Sequence, residues 1–206
     1  MPQPAVRAGP VSPQGGAIER LLGALRGGNE RGLPPVERWN PPFCGDIDMR
    51  IAPDGTWFYL GTPIGRPALV RLFSSVLRRD GDDYFLVTPV EKVGIRVDDA
   101  PFQAVEMALE GEGRARELAF RTQVGDVVSA GREHPIRFAR AESDGLKPYV
   151  LVRSALWARV TRALTYDLLA LGETQAVDGV EMFGVFAGGV FHPAVPASEI
   201  EAGSGE

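Results

Sequence analysis

Apolar and polar positions alternate with a period of two in several stretches of this chain and follow a helical period in others. The clearest alternation is residues 44–61, CGDIDMRIAPDGTWFYLG, which reads as a β-hairpin turning at Asp54-Gly55. A turn with an even number of residues pairs Ala52 with Trp57, Ile51 with Phe58 and Met49 with Leu60. Ile47, Met49, Ile51, Phe58 and Leu60 then share an oily face. Asp46, Asp48, Arg50, Trp57 and Tyr59 share the other. An odd turn mixes apolar and charged residues on both faces, because a slip of one residue inverts a strand. The even turn is therefore the expectation.

Helical spacing shows in three places. Ile18, Leu21, Leu22 and Leu25 predict a short amphipathic helix over 17–26, closed by Gly27-Gly28. Pro67 suits a first helical position and opens a helix over 67–79. Leu69, Leu72, Phe73, Val76 and Leu77 form its buried stripe, with Arg71, Arg78 and Arg79 outside. Leu156, Val160, Leu164 and Leu168 predict a third helix over about 155–171. Strands are expected on both sides of Thr88-Pro89, over 103–110 and 114–124 around Gly111-Glu112-Gly113, and over 136–141, 149–153, 180–187 and 189–193.

Strand, Asp-Gly turn, strand, helix, strands appears twice, offset by about ninety residues. Sequential hairpins with a few helices argue for α+β. The predicted architecture is two small mixed subdomains with this repeated motif, built of antiparallel hairpins in a β-roll-like arrangement. The expected boundaries are a tail over 1–16, one unit over 17–98, a second over 99–196 and a tail over 197–206, with a rigid proline-rich connector at 29–43.

Composition narrows the function. The chain has 206 residues, 44% hydrophobic and 24% charged, as a folded globular protein requires. A net charge of -5 without a Lys/Arg tract argues against nucleic acid and anionic membrane as partners. Cys44 is the single cysteine, so neither an internal disulfide nor a Cys-based zinc site can form. No apolar run is long enough to span a bilayer, and the first sixteen residues lack the apolar core of a secretory signal, so a cytoplasmic setting is expected.

The chemistry-bearing residues give no recognised catalytic set. Asp46 and Asp48 share one strand side with Arg50, where two carboxylates could ligate a hard cation or Arg50 could neutralise them on a solvated face. Cys44 reads as a structural, partly buried thiol. His134 and His192 each precede proline and fit extended or turn backbone. Ser74-Ser75 lie outside any nucleophile elbow, and no phosphate loop or dinucleotide fingerprint occurs. Arg66 and Arg153 each precede a predicted helix, where an anion could be held.

The run CGDIDMRIAPDGTWFYLGTPIGRPALVRLF, followed by YFLVTPVEK, DAPF, HPIRF and PYVLVRSALWARVTRAL, resembles the uncharacterised bacterial family named domain of unknown function 1285. The resemblance covers roughly residues 38 to 172. It implies a two-part α+β protein with repeated motifs and a role in ligand sensing or signal transduction. It carries over no catalytic residue, no cofactor and no metal. The family often has His where this chain has Tyr59.

The leading functional expectation is a noncatalytic ligand-binding or regulatory module. Its site is expected in a cleft between the halves, formed by Arg50, Trp57, Tyr59, Arg66 and Glu91. Arg50 and Arg66 would hold an anionic group and the aromatics would supply contact area, unless Trp57 and Tyr59 instead pack under the proline-rich connector or the other half. The expected partner is a small anionic ligand or another protein. Two alternatives stay open: a metal-dependent hydrolase using Asp46 and Asp48, and an oligomerisation protein, such as a homodimer, joined through the aromatic face.

Overall fold

The computed structural model describes residues 32–141 and 145–203. The helix expected over 17–26, the first tail and Asp144 of the second Asp-Gly turn lie outside the described residues. The fold is α+β, with two six-stranded mixed sheets and a third, three-stranded sheet.

The first unit runs β1 (Phe43–Ile51), β2 (Trp57–Tyr59), β3 (Thr62–Pro63), α1 (Pro67–Ser75), β4 (Leu77–Asp80), β5 (Asp83–Val87) and β6 (Lys92–Val97). The second runs β7 (Phe102–Glu110), β8 (Glu117–Thr122), β9 (Val127–Ser129), β10 (Ile136–Arg140), β11 (Leu146–Arg153) and β12 (Leu156–Val160). Helix α2 (Arg162–Ala170), the antiparallel sheet of β13 (Glu173–Val177), β14 (Val180–Ala187) and β15 (Val190–Pro196), and α3 (Ala197–Gly203) complete the chain. Helix α3 stands where composition suggests a frayed end.

Both large sheets have the same strand order. The first reads β3-β2-β1-β6-β5-β4 and the second, in the same sense, β9-β8-β7-β12-β11-β10. Each is two antiparallel three-stranded meanders joined by one central parallel pair, β1 with β6 and β7 with β12. The repeat is therefore real, but its period is shorter than the motif spacing suggests. Strand β7 at Phe102, not β10, is the counterpart of β1 at Phe43. The helix between the meanders occurs once, as α1; the loop from β9 to β10 has none.

The first hairpin has the odd register. Met49 faces Tyr59, Arg50 faces Phe58 and Ile51 faces Trp57. The turn is Pro53-Asp54-Gly55, with Ala52 N–H donating to the Thr56 carbonyl at 2.9 Å. Gly55 has φ +82, the left-handed conformation that closes a three-residue hairpin loop. The Asp54 carboxylate accepts the Thr56 N–H at 2.9 Å, and that bond holds its pKa below the usual carboxylate range. Proline at the first turn position, a capping Asp and a left-handed Gly together outweigh the tidier face pattern. Trp57 and Tyr59 therefore turn inward beside Met49 and Ile51, while Phe58 turns outward beneath the Arg50 guanidinium, 4.6 Å from the ring centroid.

Two predicted helices are shorter than expected. Helix α1 ends at Ser75, where the Ser74 and Ser75 hydroxyls donate back to the Arg71 and Leu72 carbonyls at 2.8 and 2.7 Å. Leu77 to Asp80 then pair with β5, and Arg78 is buried, donating to the Val36 and Trp39 carbonyls at 3.0 and 2.7 Å. In the last predicted helix, residues 156–160 form β12, and helical backbone begins only after Thr161. One continuous core joins the sheets, from Trp57, Phe73 and Leu86 in the first unit to Phe102, Phe120 and Leu156 in the second.

Candidate functional site

The five residues expected to form the site do not converge. Trp57 is 1% exposed and stacks on Phe73 of α1 at 6.3 Å between ring centroids, so it is core. Tyr59 is half-buried against the same core. Arg50 lies on the outer face of the first sheet and bonds Asp98 at 2.7 Å. Arg66 is exposed ahead of α1, and Glu91 is buried in the β5–β6 turn, where its N–H donates to the Thr88 hydroxyl at 3.2 Å. The odd hairpin register separates the aromatics from the arginines and removes that wall. Cys44, expected to be partly buried, is exposed.

Asp46 and Asp48 are both exposed on the outer face of β1. The Asp46 carboxylate occupies the space that a Cβ at Gly94 would need. Among the described residues, no three His, Cys, Asp or Glu side chains gather as a metal would require. Nearby, Phe43, Phe85 and Lys92 line a hollow of about 460 Å³. Lys92 is already engaged there, bonding Asp80 at 3.3 Å and lying 4.4 Å from the Phe85 centroid.

The seam between the units is built differently. The turn at Pro53 to Gly55 rests on two glutamines of the second sheet. Gln103 Nε2 donates to the Pro53 carbonyl at 3.0 Å, and the Gln123 side-chain oxygen accepts the Gln103 N–H at 2.7 Å. A Cβ at Gly55 would stand 2.8 Å from Gln103 Cγ, so the close approach also requires glycine. The Gln123 amide nitrogen is buried without an acceptor among the described residues. Strand pairing places Arg137, Tyr149, Arg159 and Gln103 in one row across β10, β11, β12 and β7. Buried Ile136, Val150 and Ala158 alternate with that row, so it lies on the face turned away from the core.

At the unit boundary, two adjacent aspartates face opposite ways. Asp98 bonds Arg50 at 2.7 Å and Arg96 at 3.0 Å, both in the first unit. Asp99 accepts the Tyr149 hydroxyl at 2.7 Å and Arg159 at 3.2 Å, both in the second. Burial, and secondarily the Asp99 bond, push the Tyr149 phenol up to about 12, so it remains a donor at neutral pH.

Beside this seam a cleft of about 430 Å³ is lined by Asp54, Gln103, Gln123, Arg159, Thr161 and Arg162. Its lining supplies amides, a carboxylate, a hydroxyl and two guanidiniums but no Ser, Cys or His. That set can recognise and orient a polar ligand. A second hollow of about 350 Å³ shares Arg159 and Arg162 and adds Lys147 and Tyr166. Sequence reasoning missed Arg159 and Arg162 because it read β12 as helix. The alternation of Leu156, Ala158 and Val160 with Trp157 and Arg159 was the available signal.

These features define a two-unit α+β protein with a polar cleft at the seam. The family models for the N-terminal and C-terminal domains of DUF1285, a domain and protein of unknown function, match residues 34–100 and 101–194. The chain belongs to the DUF1285 family. The crystal structure of a DUF1285 family protein from Silicibacter pomeroyi is similar at 53% identity and TM-score 0.80, covering 88% of this chain and 97% of that one. Another from Shewanella baltica shares 30% identity, with 59% of this chain and 90% of that one covered and TM-score 0.46. Among curated proteins nothing matches. No specific function is established by these relatives. Among the described residues, no helix is long and apolar enough to cross a membrane.

Proposed function

We propose that this protein is a noncatalytic ligand-binding module, acting as a sensor or regulator in the bacterial cytoplasm, and that its ligand seats in the seam cleft. The carrying observation is the composition of that cleft: Gln103, Gln123, Arg159, Thr161 and Arg162 converge on one concavity of ligand size. The cleft is formed jointly by the Pro53–Gly55 turn of one unit and the outer face of the other. A ligand there touches both units, which is the geometry a sensor needs to couple occupancy to their docking. The hydrolase reading rests on Asp46 and Asp48, which no third metal-ligating side chain joins among the described residues. The homodimer reading rests on an aromatic face whose Trp57 is core.

A thermal-shift screen over nucleotides, metals and acidic metabolites tests the reading. Val105 lines the cleft, is exposed, and makes none of its polar contacts, so Val105→Trp should fill the cleft and leave the fold intact. A stabilising ligand should lose its effect in V105W at unchanged apo Tm. A ligand that stabilises V105W as well as the parent would place binding elsewhere.

A further inference from the structure

We infer that the seam ligand carries a phosphate monoester, held by Lys147, Arg159 and Arg162 in the hollow that adjoins the seam cleft. The inference rests on the binding reading above and names the chemistry of one end of the ligand.

The three cations come from three elements. Lys147 is on β11, Arg159 on β12 and Arg162 at the start of α2. They line one hollow of about 350 Å³, into which no described carboxylate projects. Ion pairing does not explain the grouping. Arg159 shares Asp99 with Tyr149. Among the described residues Arg162 hydrogen-bonds only the Tyr166 hydroxyl, at 3.4 Å from both Nε and Nη2, the outer limit of a hydrogen bond. Lys147 has no hydrogen-bond or ion-pair partner among the described residues and is half-buried. Among the described residues, Asp99 is thus the single carboxylate bonded to any of the three cations, while Asp54 lines the adjoining cleft and is held by the Thr56 N–H.

Such an excess favours a dianion over a monoanion. Arginine's planar fork matches phosphate oxygens two at a time, and Lys147 adds a point charge. The Tyr166 hydroxyl, on a side chain 61% exposed, is a further donor. Arg159 and Arg162 also line the seam cleft, so a phosphate between them leaves the rest of the molecule facing Gln103 and Gln123. Those amides select a body with hydrogen-bonding groups, and Val105 and Pro53 are the apolar residues of that wall. The class that fits is a soluble phosphorylated metabolite with a polar body.

The probe is inorganic phosphate, titrated by calorimetry at pH 8 with ionic strength held constant by chloride. The parent should bind it saturably at about millimolar Kd. K147A and R162A should each weaken binding at least fivefold, and the double variant beyond measurement, while R66A leaves it unchanged. No saturable binding, or equal binding in the parent and K147A/R162A, overturns the inference. V105W separates the two claims. Phosphate binding that survives V105W, together with a screened ligand that V105W excludes, supports both. A seam ligand excluded by V105W, with no phosphate binding in the parent, sinks the phosphate assignment alone. Phosphate binding with no ligand sensitive to V105W sinks the seam reading alone.

Discussion

The two large sheets share a strand order and differ in what their central parallel pairs do with charge. On the first sheet the arginines of the central pair are both engaged. Arg50 and Arg96 both reach Asp98, and Arg50 also covers Phe58. On the second sheet the equivalent row is left partly open, with Arg159 bonded on one side to Asp99 and facing a cleft on the other. Topology thus fixes where the strands lie but not where a site forms. The proposed site lies where Arg159, Arg162 and Lys147 gather on one hollow, and Asp98 and Asp99 divide the pairing between the units.

The largest expected effect tests the register that makes the first sheet closed. Trp57→Ala removes a fully buried ring stacked on Phe73 and should cost about 3–5 kcal/mol in urea unfolding. Phe58→Ala, on the outer face, should cost about 1 kcal/mol or less. Similar losses in the two variants would mean that the hairpin has the even register after all, and the contrast between the sheets would fail at its base.

The next effect tests the joint between the units. Arg153 of β11 donates to the Ser74 carbonyl near the end of α1 at 2.7 Å, bonds Asp126, and lies 4.8 Å from the Phe102 centroid. It ties the helix that only the first unit possesses to the sheet of the second. Arg153→Ala should destabilise by about 2 kcal/mol, since it leaves Asp126 partly buried and a helix-end carbonyl without its donor. Arg153→Lys keeps the charge but cannot span all three contacts, so it should lie between. If Arg153→Ala left the urea midpoint unchanged, the units would not be coupled through this residue.

How much of this was legible in the sequence follows from the same residues. The strands were, because period-two alternation survives any register. The α+β class, the two units and the existence of a repeat followed from turn residues and strand count. The register was not legible from face segregation, because Pro53-Asp54-Gly55 forms a turn with its own preferred length, and local turn chemistry overruled the pattern. Leu156, Val160, Leu164 and Leu168 keep helical spacing across a strand, a break at Thr161 and a helix. That accident hid Arg159 and Arg162. The glutamine pair at the seam left no local mark, since Gln103 and Gln123 meet only through the pairing of β7 with β8.

A smaller effect, confined to acid, concerns how the third sheet attaches to the second. His192 of β15 is buried, and its Nδ1 accepts the Ile136 N–H of β10 at 3.3 Å. Desolvation by that burial lowers its pKa below 6.5. The folded state therefore favours the neutral ring. The His192 contribution is fully present above about pH 6.5 and is lost as pH falls through the depressed folded pKa, because the unfolded chain takes up the proton first. Urea midpoints measured from pH 7.5 to 5 should fall in the parent and fall less in His192→Gln. Parallel slopes would show that the acid sensitivity arises elsewhere.

The smallest effect bears most directly on the comparison. Arg50 and Asp98 are partly solvated, so a double-mutant cycle with Arg50→Ala and Asp98→Asn should give a coupling of about 0.2–1 kcal/mol. Asp99 is bonded by a buried tyrosine as well as by Arg159, so the cycle between Tyr149→Phe and Asp99→Asn should give a larger coupling, near 1.5 kcal/mol. Adding phosphate distinguishes the sheets further. An anion beside Arg159 competes with Asp99 for the same guanidinium and should lower an Arg159–Asp99 coupling, while the Arg50–Asp98 coupling stays where it was. Equal sensitivity of both pairs would reduce phosphate to general screening, since salt weakens exposed pairs alike wherever they sit. A change restricted to Asp99 would show that the second sheet keeps its arginine available for a ligand where the first has committed its own to the fold.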